Sequence, residues 1–438
     1  MKKIVTMLAA FGAFTFIAAA VQADQTNPTW WKGNTHAHSW WSDGDAPPEL
    51  IADWYKDQGY HFLVISDHNV MKQGEKWYPI DQPKRRPEQV KSAYDKYVKR
   101  FGSAWIEQRG EVGNREVKLK AIDDYRTLFE EANRFIFIKG EEITSRFEKQ
   151  PIHLNGINLV APIEPVVGAS VTDTIQQNLD LVKAQELAYQ QPMFTHVNHP
   201  NFHYAIPPEA FFDLDHEPGD GFFEMYNGHS GVDNYGDDLH PSMERLWDIV
   251  LSKRLGERGR GPIYGVATDD SHEYSEWGLG HTNPGRGWIM VRSEYLSPNM
   301  ITSAIKRGDF YNSTGVTLTE LSMDEKGLRL SIEPKPDTEY VIEFVGTLAN
   351  ADLQGVGERI EHPHRDNTEH NHKVVYRYSD DIGKVLKRVK GTSAQYKPTG
   401  KELYVRARVI STKDQPNPYA TGDKEMAWTQ PLVIKAQR

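Results

Sequence analysis

The segment His61-Phe62-Leu63-Val64-Ile65-Ser66-Asp67-His68-Asn69 passes from an apolar run directly into an acid and a histidine. A short, almost continuous apolar run with polar residues at its ends fits a strand covered on both faces, the usual state of a strand in a parallel sheet. The pair Asp67-His68 then sits just past the C-terminal end of that strand. Residues 31–34 lead in the same way into Thr35-His36-Ala37-His38, and 135–139 into Gly140-Glu141-Glu142. Residues 192–195 lead into His196-Val197-Asn198-His199-Pro200-Asn201, 221–225 into Tyr226-Asn227-Gly228-His229, and 262–267 into Thr268-Asp269-Asp270-Ser271-His272. The seventh run, 153–159, begins with its histidine.

Segments of helical period at 48–58, 121–133, 171–189 and 242–255 lie between several of these runs. Strand–helix alternation with polar residues at strand C-termini is how a parallel barrel assembles a site. An open doubly wound sheet fits the same alternation. Ligand-type residues spread over seven strands favour the closed barrel, because an open sheet gathers its site near one switch point.

Composition narrows the chemistry. The 438 residues include 17 His and no Cys, which excludes disulfides, thiolate zinc sites, iron–sulfur clusters and Cys nucleophiles. With 26% charged and 38% hydrophobic residues the chain reads as folded and globular. Residues 1–23 read as a signal peptide: Lys2 and Lys3, an apolar run over 4–20, then Val21-Gln22-Ala23 as a small–x–small cleavage site. A membrane anchor is the alternative, but the run is short and Ala-rich for a span and no stop-transfer charges follow. Losing Lys2 and Lys3, and no acid, takes the formal charge from −10 to −12. A net acidic chain disfavours nucleic acid polymers and anionic membranes as partners. The protein is expected in the periplasm or outside the cell, with no membrane association after cleavage.

Beyond about residue 315 the pattern changes to period 2, as in Leu403, Val405, Ala407 and Val409 with Arg406 and Arg408 between them. Strand-like runs at 328–333, 340–345, 374–378 and 428–434 complete a small C-terminal β-sandwich over 316–438, after a barrel domain over 24–315. The polar stretch 361–372 holds four histidines and reads as a solvated loop insertion.

Within the first domain, His36 and His38 are two apart on a strand and face one side, so both imidazoles can reach one ion. Asp43 follows at loop distance in Ser42-Asp43-Gly44, and Asp270-Ser271-His272 repeats the two-residue spacing. Each pair alone has an ordinary structural explanation. Together they indicate a multinuclear metal site built from imidazole and carboxylate. Such ligands suit Zn, Mn or Fe without choosing among them.

The ordered motifs HAH, SDG, SDHN, GEE, an isolated His, NHPN and DDSH resemble the polymerase-and-histidinol-phosphatase (PHP) superfamily over residues 31–314. The resemblance implies an α/β fold, a distorted (βα)7 barrel, with two or three divalent metal ions at its C-terminal mouth. It assigns His36, His38, Asp43, His68, Glu142, His153, His199, Asp270 and His272 as metal ligands, with Glu142 bridging because Ile143-Thr144 follow it. Asp67 becomes an orienting or catalytic carboxylate, and His196 and Asp269 are additional. Asn34-Thr35 depart from the Asp or Leu common before the first histidine. Asn227 through Asp270-Ser271-His272 to Pro284-Gly285-Arg286-Gly287-Trp288, and Gly308-Asp309-Phe310-Tyr311-Asn312-Ser313-Thr314-Gly315, resemble a carbaryl-hydrolase-like branch.

A hydroxide bridging two metal ions would attack a small anionic ester, with phosphomonoesters or diesters favoured by the superfamily resemblance. Arg286 is a candidate for gripping the oxyanion, a guanidinium fork being suited to that task; a surface arginine in a Gly-rich turn is the plain alternative. His229 is a candidate acid for the leaving group, with an ordinary loop histidine as its alternative. The competing functions are a metal-dependent carbamate, ester or amide hydrolase, and a binding protein with a vestigial barrel. The oligomeric state is left open.

Overall fold

The computed structural model describes residues 29–359 and 374–434. The expected signal peptide at 1–23 and the histidine-bearing loop at 361–372 lie outside the described residues. Among those described, no helix is long and apolar enough to cross a membrane.

The fold is mixed α/β with several sheets. Strand Thr29–Asn34 pairs in parallel with Phe62–Leu63, which pairs in parallel with Ile136–Phe137. Gly33 permits the first contact, since a Cβ there would lie 2.1 Å from the Phe62 ring. A second sheet runs Gly140–Phe147, Gln150–Ile157, Phe194–Val197, Gly221–Asn227, Tyr264–Thr268. Its first two steps are antiparallel and the next two parallel.

The two sheets meet at both edges through isolated main-chain bridges, His68 to Glu142 and Ala37 to Ser271. At one seam Glu142 N–H donates to Ser66 O at 3.0 Å and Asn69 N–H to Glu142 O at 2.9 Å. At the other, His38 N–H donates to Ser271 O at 2.9 Å and Asp270 N–H to His36 O at 3.0 Å. The strands therefore come round on themselves, and both seams fall where the ligand-type residues are. The units are not uniformly βα, because Gln150–Ile157 follows Gly140–Phe147 as a hairpin with no helix between.

Six helices are described: α1 Pro48–Asp57, α2 Pro87–Phe101, α3 Ile122–Phe129, α4 Val171–Tyr189, α5 Met243–Gly256 and α6 Pro298–Lys306. Proline at the first turn starts α1 and α2, where its missing N–H is no loss. Ser170 caps α4 by accepting the Asp173 N–H at 3.0 Å. Helix α3 stops before the expected 133, its C-cap being the extended Glu130. Helix α2 belongs to an insertion over 69–121 with a small sheet of Trp77–Pro79, Glu116–Lys118 and Gln108–Arg109. This insertion packs beside the end of the sheet that carries His68.

The chain continues through Trp288–Ser293, antiparallel to Thr29–Asn34, and Phe310–Ser313 antiparallel to that. The same sheet then takes in Lys424–Thr429, Glu402–Asp414, Tyr340–Leu348 and Lys384–Lys390. A three-stranded sheet of Leu318–Asp324, Gly327–Ile332 and Ser393–Tyr396 faces it, and Leu328, Leu330, Phe344, Val405 and Ala407 are buried between the two. The period-2 reading of 403–409 is altered at Arg406, which is fully buried beneath α5 and not solvated. Its Nη2 lies 2.8 Å from Glu244 and 2.7 Å from Asp248, both on α5.

Candidate metal centre

Burial of Glu142 sets the geometry of the site. Its carboxylate is 1% exposed and stands at the seam beside His68. His68 Nδ1 lies 2.8 Å from its Oε2 and His38 Nε2 3.3 Å from the same oxygen. His153 Nδ1 (3.1 Å), His199 Nε2 (3.4 Å) and His36 Nε2 (3.6 Å) face Oε1. Burial alone raises a carboxyl pKa; here His68, His153 and His36 outweigh it and hold Glu142 well below the usual range.

Asp270 enters from the opposite seam, with Oδ1 3.2 Å from His36 Nε2 and 3.3 Å from His38 Nε2. Asp43 Oδ1 lies 3.3 Å from His272 Nε2, 3.5 Å from His38 Nδ1 and 3.6 Å from His68 Nε2. Gly44 allows the Asp43 loop to fold back, since a Cβ there would lie 2.3 Å from the His38 carbonyl oxygen. His199 and Asp270 both have positive φ, 31° and 47°, an uncommon backbone state for non-glycine residues that recurs at functional sites.

Three overlapping donor sets result: His38, Asp43, His68 and His272; His36, His38 and Glu142; His68, Glu142 and His153. The donor atoms fit divalent cations better than they fit one another. His36 Nε2 and His38 Nε2 face each other at 3.1 Å, and the buried Asp43 Oδ1 and His153 Nδ1 complete no hydrogen bond. The imidazoles are also oriented from behind. His36 Nδ1 donates to Glu224 at 2.6 Å, His272 Nδ1 to the Asp270 carbonyl at 2.9 Å, and His38 Nδ1 to Ser42 Oγ at 3.2 Å. In each case the proton is fixed on Nδ1 and the Nε2 lone pair is left toward the cluster. Burial first, then His272, lowers the His38 pKa to about 4.

All nine expected ligands therefore come together. Of the three further residues, Asp67 takes the orienting role, and Arg286 and His229 do not stand where a catalytic role would need them. Asp67 faces away from the cluster: it accepts the Ser39 N–H at 2.8 Å, the Ser39 hydroxyl at 2.7 Å and the Ser42 hydroxyl at 2.6 Å. It therefore positions the loop leading to Asp43 and, through Ser42, the His38 ring. Arg286 is buried, and its terminal nitrogens donate to the Gly228, His281 and Gly278 carbonyls. It braces a loop and presents no free fork. His229 Nδ1 accepts the Gly231 N–H at 2.9 Å, and its ring stands edge-on to His272 at 5.2 Å. Burial, only partly countered by Asp270, pushes its pKa down to about 3, so the imidazolium needed of a proton donor is scarce at neutral pH.

Of the additional residues, Asp269 accepts the Arg286 and Gly287 N–H groups and the Tyr55 hydroxyl. His196 is buried with neither ring nitrogen hydrogen-bonded.

Glu224 was not singled out in the sequence. Besides His36 it accepts Thr268 Oγ1–H at 2.8 Å, and the His199 N–H and Asn227 Nδ2 at 2.7 Å each. Its signal is a lone charge in the strand Gly221–Asn227, every residue of which is buried. Asn198 donates to Glu142 Oε1 at 2.8 Å.

A cavity of about 610 Å³ opens over Asp43, His68, Thr144 and His153. Trp77 and Tyr78 of the insertion line one wall, and Lys76, Lys84, Arg85 and Arg86 lie along it.

No family model matches the sequence, and no curated protein matches it. Among solved structures, the chain is similar to a two-domain protein containing a predicted PHP-like metal-dependent phosphoesterase from Bacteroides vulgatus ATCC 8482. That match has 16% identity and TM-score 0.35, covering 92% of this chain and 96% of that one. A candidate metal-dependent phosphoesterase from Bifidobacterium adolescentis ATCC 15703 matches at 11% identity and TM-score 0.28, over 57% of this chain and 90% of that one.

Proposed function

We propose that this chain is an exported metal-dependent phosphoesterase of the PHP type, acting on small phosphomonoesters or diesters. The convergence of nine imidazole and carboxylate side chains around the buried Glu142 carries the reading, since so many donors without thiolate are suited to two or three divalent ions. The barrel-like closure of the strands, the order of the motifs and the carbaryl-hydrolase-like segments at 284–288 and 308–315 support the same family reading. Export to the periplasm or medium rests on residues 1–23.

Zn, Mn or Fe bound there would neutralise charge developing on the ester oxygens and make a water acidic enough to react near neutral pH. The chain's own part is orientation. Asp43, His68 and His153, which line the cavity, and the more deeply buried His36, His38, His199, Asp270 and His272 would hold the ions together with Glu142. Glu224, Ser42 and the Asp270 carbonyl keep the histidine protons away from the ligand side. Asn198 holds Glu142 by one oxygen. The cations of the cavity wall draw an anionic ester toward the cluster although the chain as a whole is acidic.

A carbamate or carboxyl ester hydrolase is the second reading, favoured by the Trp77 and Tyr78 wall, which suits a neutral aromatic group. Metal-loaded protein assayed on 4-nitrophenyl phosphate, bis(4-nitrophenyl) phosphate and a naphthyl carbamate separates the two. Turnover of a phosphoester is expected. Turnover of the carbamate alone would overturn the phosphoesterase reading.

A further inference from the structure

The cations that line the cavity over the histidine cluster, Lys76, Lys84, Arg85 and Arg86, all come from the insertion over 69–121. Lys84, Arg85 and Arg86 come from the turn that enters α2, whereas His68, Thr144 and His153 belong to the cluster side. Arg86 is engaged: it donates to the Asp43 carbonyl at 3.0 Å and pairs with Glu273 at 3.3 Å. Arg85 reaches Asp43 Oδ2 at 2.7 Å through Nη1 alone, and its other guanidinium nitrogens have no partner among the described residues. Lys84 is exposed and makes no hydrogen bond or ion pair with any described residue. In a chain of formal charge −10, this rim is a local reversal of sign.

Asp43 fixes how far the rim stands from the cluster. One carboxylate oxygen faces His272, His38 and His68, and the other holds Arg85. A single carboxylate thus separates Arg85 from the histidines. An anionic group seated at the histidines satisfies the cluster, but it leaves Lys84 and the outer edge of Arg85 without a counter-charge. The Arg85 side chain is 67% exposed, so its pairing with Asp43 is weak and costs little to rearrange.

We propose that the substrate is a phosphomonoester whose leaving group bears a second anionic group, a carboxylate or a further phosphate, held by Lys84 and the outer edge of Arg85. This rests on the phosphoesterase reading and adds to it the charge of the leaving group. The guanidinium fork accepts either anion in two-point fashion and the ammonium adds a point charge.

The test is equilibrium binding of phenylphosphonate and 4-carboxyphenylphosphonate to the full-length, manganese-loaded protein. The carboxylated probe is expected to bind about tenfold more tightly, with the preference shrinking as salt is raised. Lys84→Ala removes most of the preference, and Arg85→Lys, which keeps the charge and loses the fork, removes part. Equal affinity for the two probes, binding of neither, or a preference that survives Lys84→Ala combined with Arg85→Ala would overturn the proposal. Failure of the phosphoesterase reading shows separately, as no turnover of 4-nitrophenyl phosphate by protein that still prefers the carboxylated probe.

Discussion

Five imidazoles stand within salt-bridge distance of the single Glu142 carboxylate, and Asp270, Asp43 and, behind His36, Glu224 supply further acid groups. The donor sets overlap at His38, His68 and Glu142, so removing one shared imidazole alters more than one of them. His68→Ala takes a donor from two of the three ligand sets. It is expected to lower bound metal and to cut turnover at least about 100-fold, with circular dichroism unchanged. Glu224→Gln leaves every ligand in place but loosens His36, and is expected to weaken metal affinity about 10–100-fold, read by competition with a chelator. Most of the ligands were legible because they sit at or just past a strand end, where direction follows from the strand; His153 lies instead mid-strand in Gln150–Ile157 and Asp43 in a loop. Directions of Arg286 and His229 were not legible, since charge and motif order do not say which way a loop side chain turns. Glu224 was hidden for a related reason: its strand is buried on both faces, so no alternation marks the inward side.

At the scale of elements, the contact between α5 and Glu402–Asp414 joins the two halves of the chain. Arg406 lies between Asp248 and Glu244, Arg408 reaches Glu244 at 3.0 Å, and the Tyr404 hydroxyl donates to Asp248 at 2.6 Å. Asp248→Ala leaves a fully buried guanidinium short of its partner, and is expected to cost about 3–5 kcal/mol in denaturant unfolding. Burial works against the charge on Glu244, but Arg406 and Arg408 prevail and hold its pKa below 4.5. A depressed acid pKa stabilises fully above the unfolded value, and the stabilisation is lost as pH falls through the folded one. The thermal midpoint should therefore drop below about pH 4.5, and Glu244→Gln should flatten that drop while lowering the plateau above it. None of this was legible from the alternation at 403–409, which marks Arg406 as outward. The outward face is covered by a helix more than 150 residues away in sequence. Helix α2 escaped for a different reason, its low hydrophobicity, with only Val90, Ala93 and Tyr97 buried.

At the scale of the molecule, the change of pattern near residue 315 marks a change of periodicity and not a break in hydrogen bonding. Phe310–Ser313 pairs with Lys424–Thr429, with Asn312 opposite Trp428, so one sheet runs from strands before residue 315 into strands after it. The Asn312 side chain also accepts the Ala267 N–H at 2.8 Å. A chain ending at residue 315 would expose that strand as a bare edge. It is expected to be insoluble or to lack a cooperative melting transition, as judged by soluble yield and calorimetry. Strand–helix alternation was legible in the sequence because strands and helices differ in period. The pairing of strands from distant parts of the chain leaves no such mark.

The main-chain seams have a further consequence. Both bring together residues that also offer metal donors: His38 and Asp270 at one, Glu142 and His68 at the other. An ion drawing His38, Asp270 and Glu142 together would also clasp the ring, like a pin through a hinge. Deuterium uptake at the amides of His38, Asn69, Glu142 and Asp270 should then be slow in the loaded protein. Chelation should speed it by at least about tenfold, while the amides of Ile342 and Val409, deep in the C-terminal sheet, keep their protection.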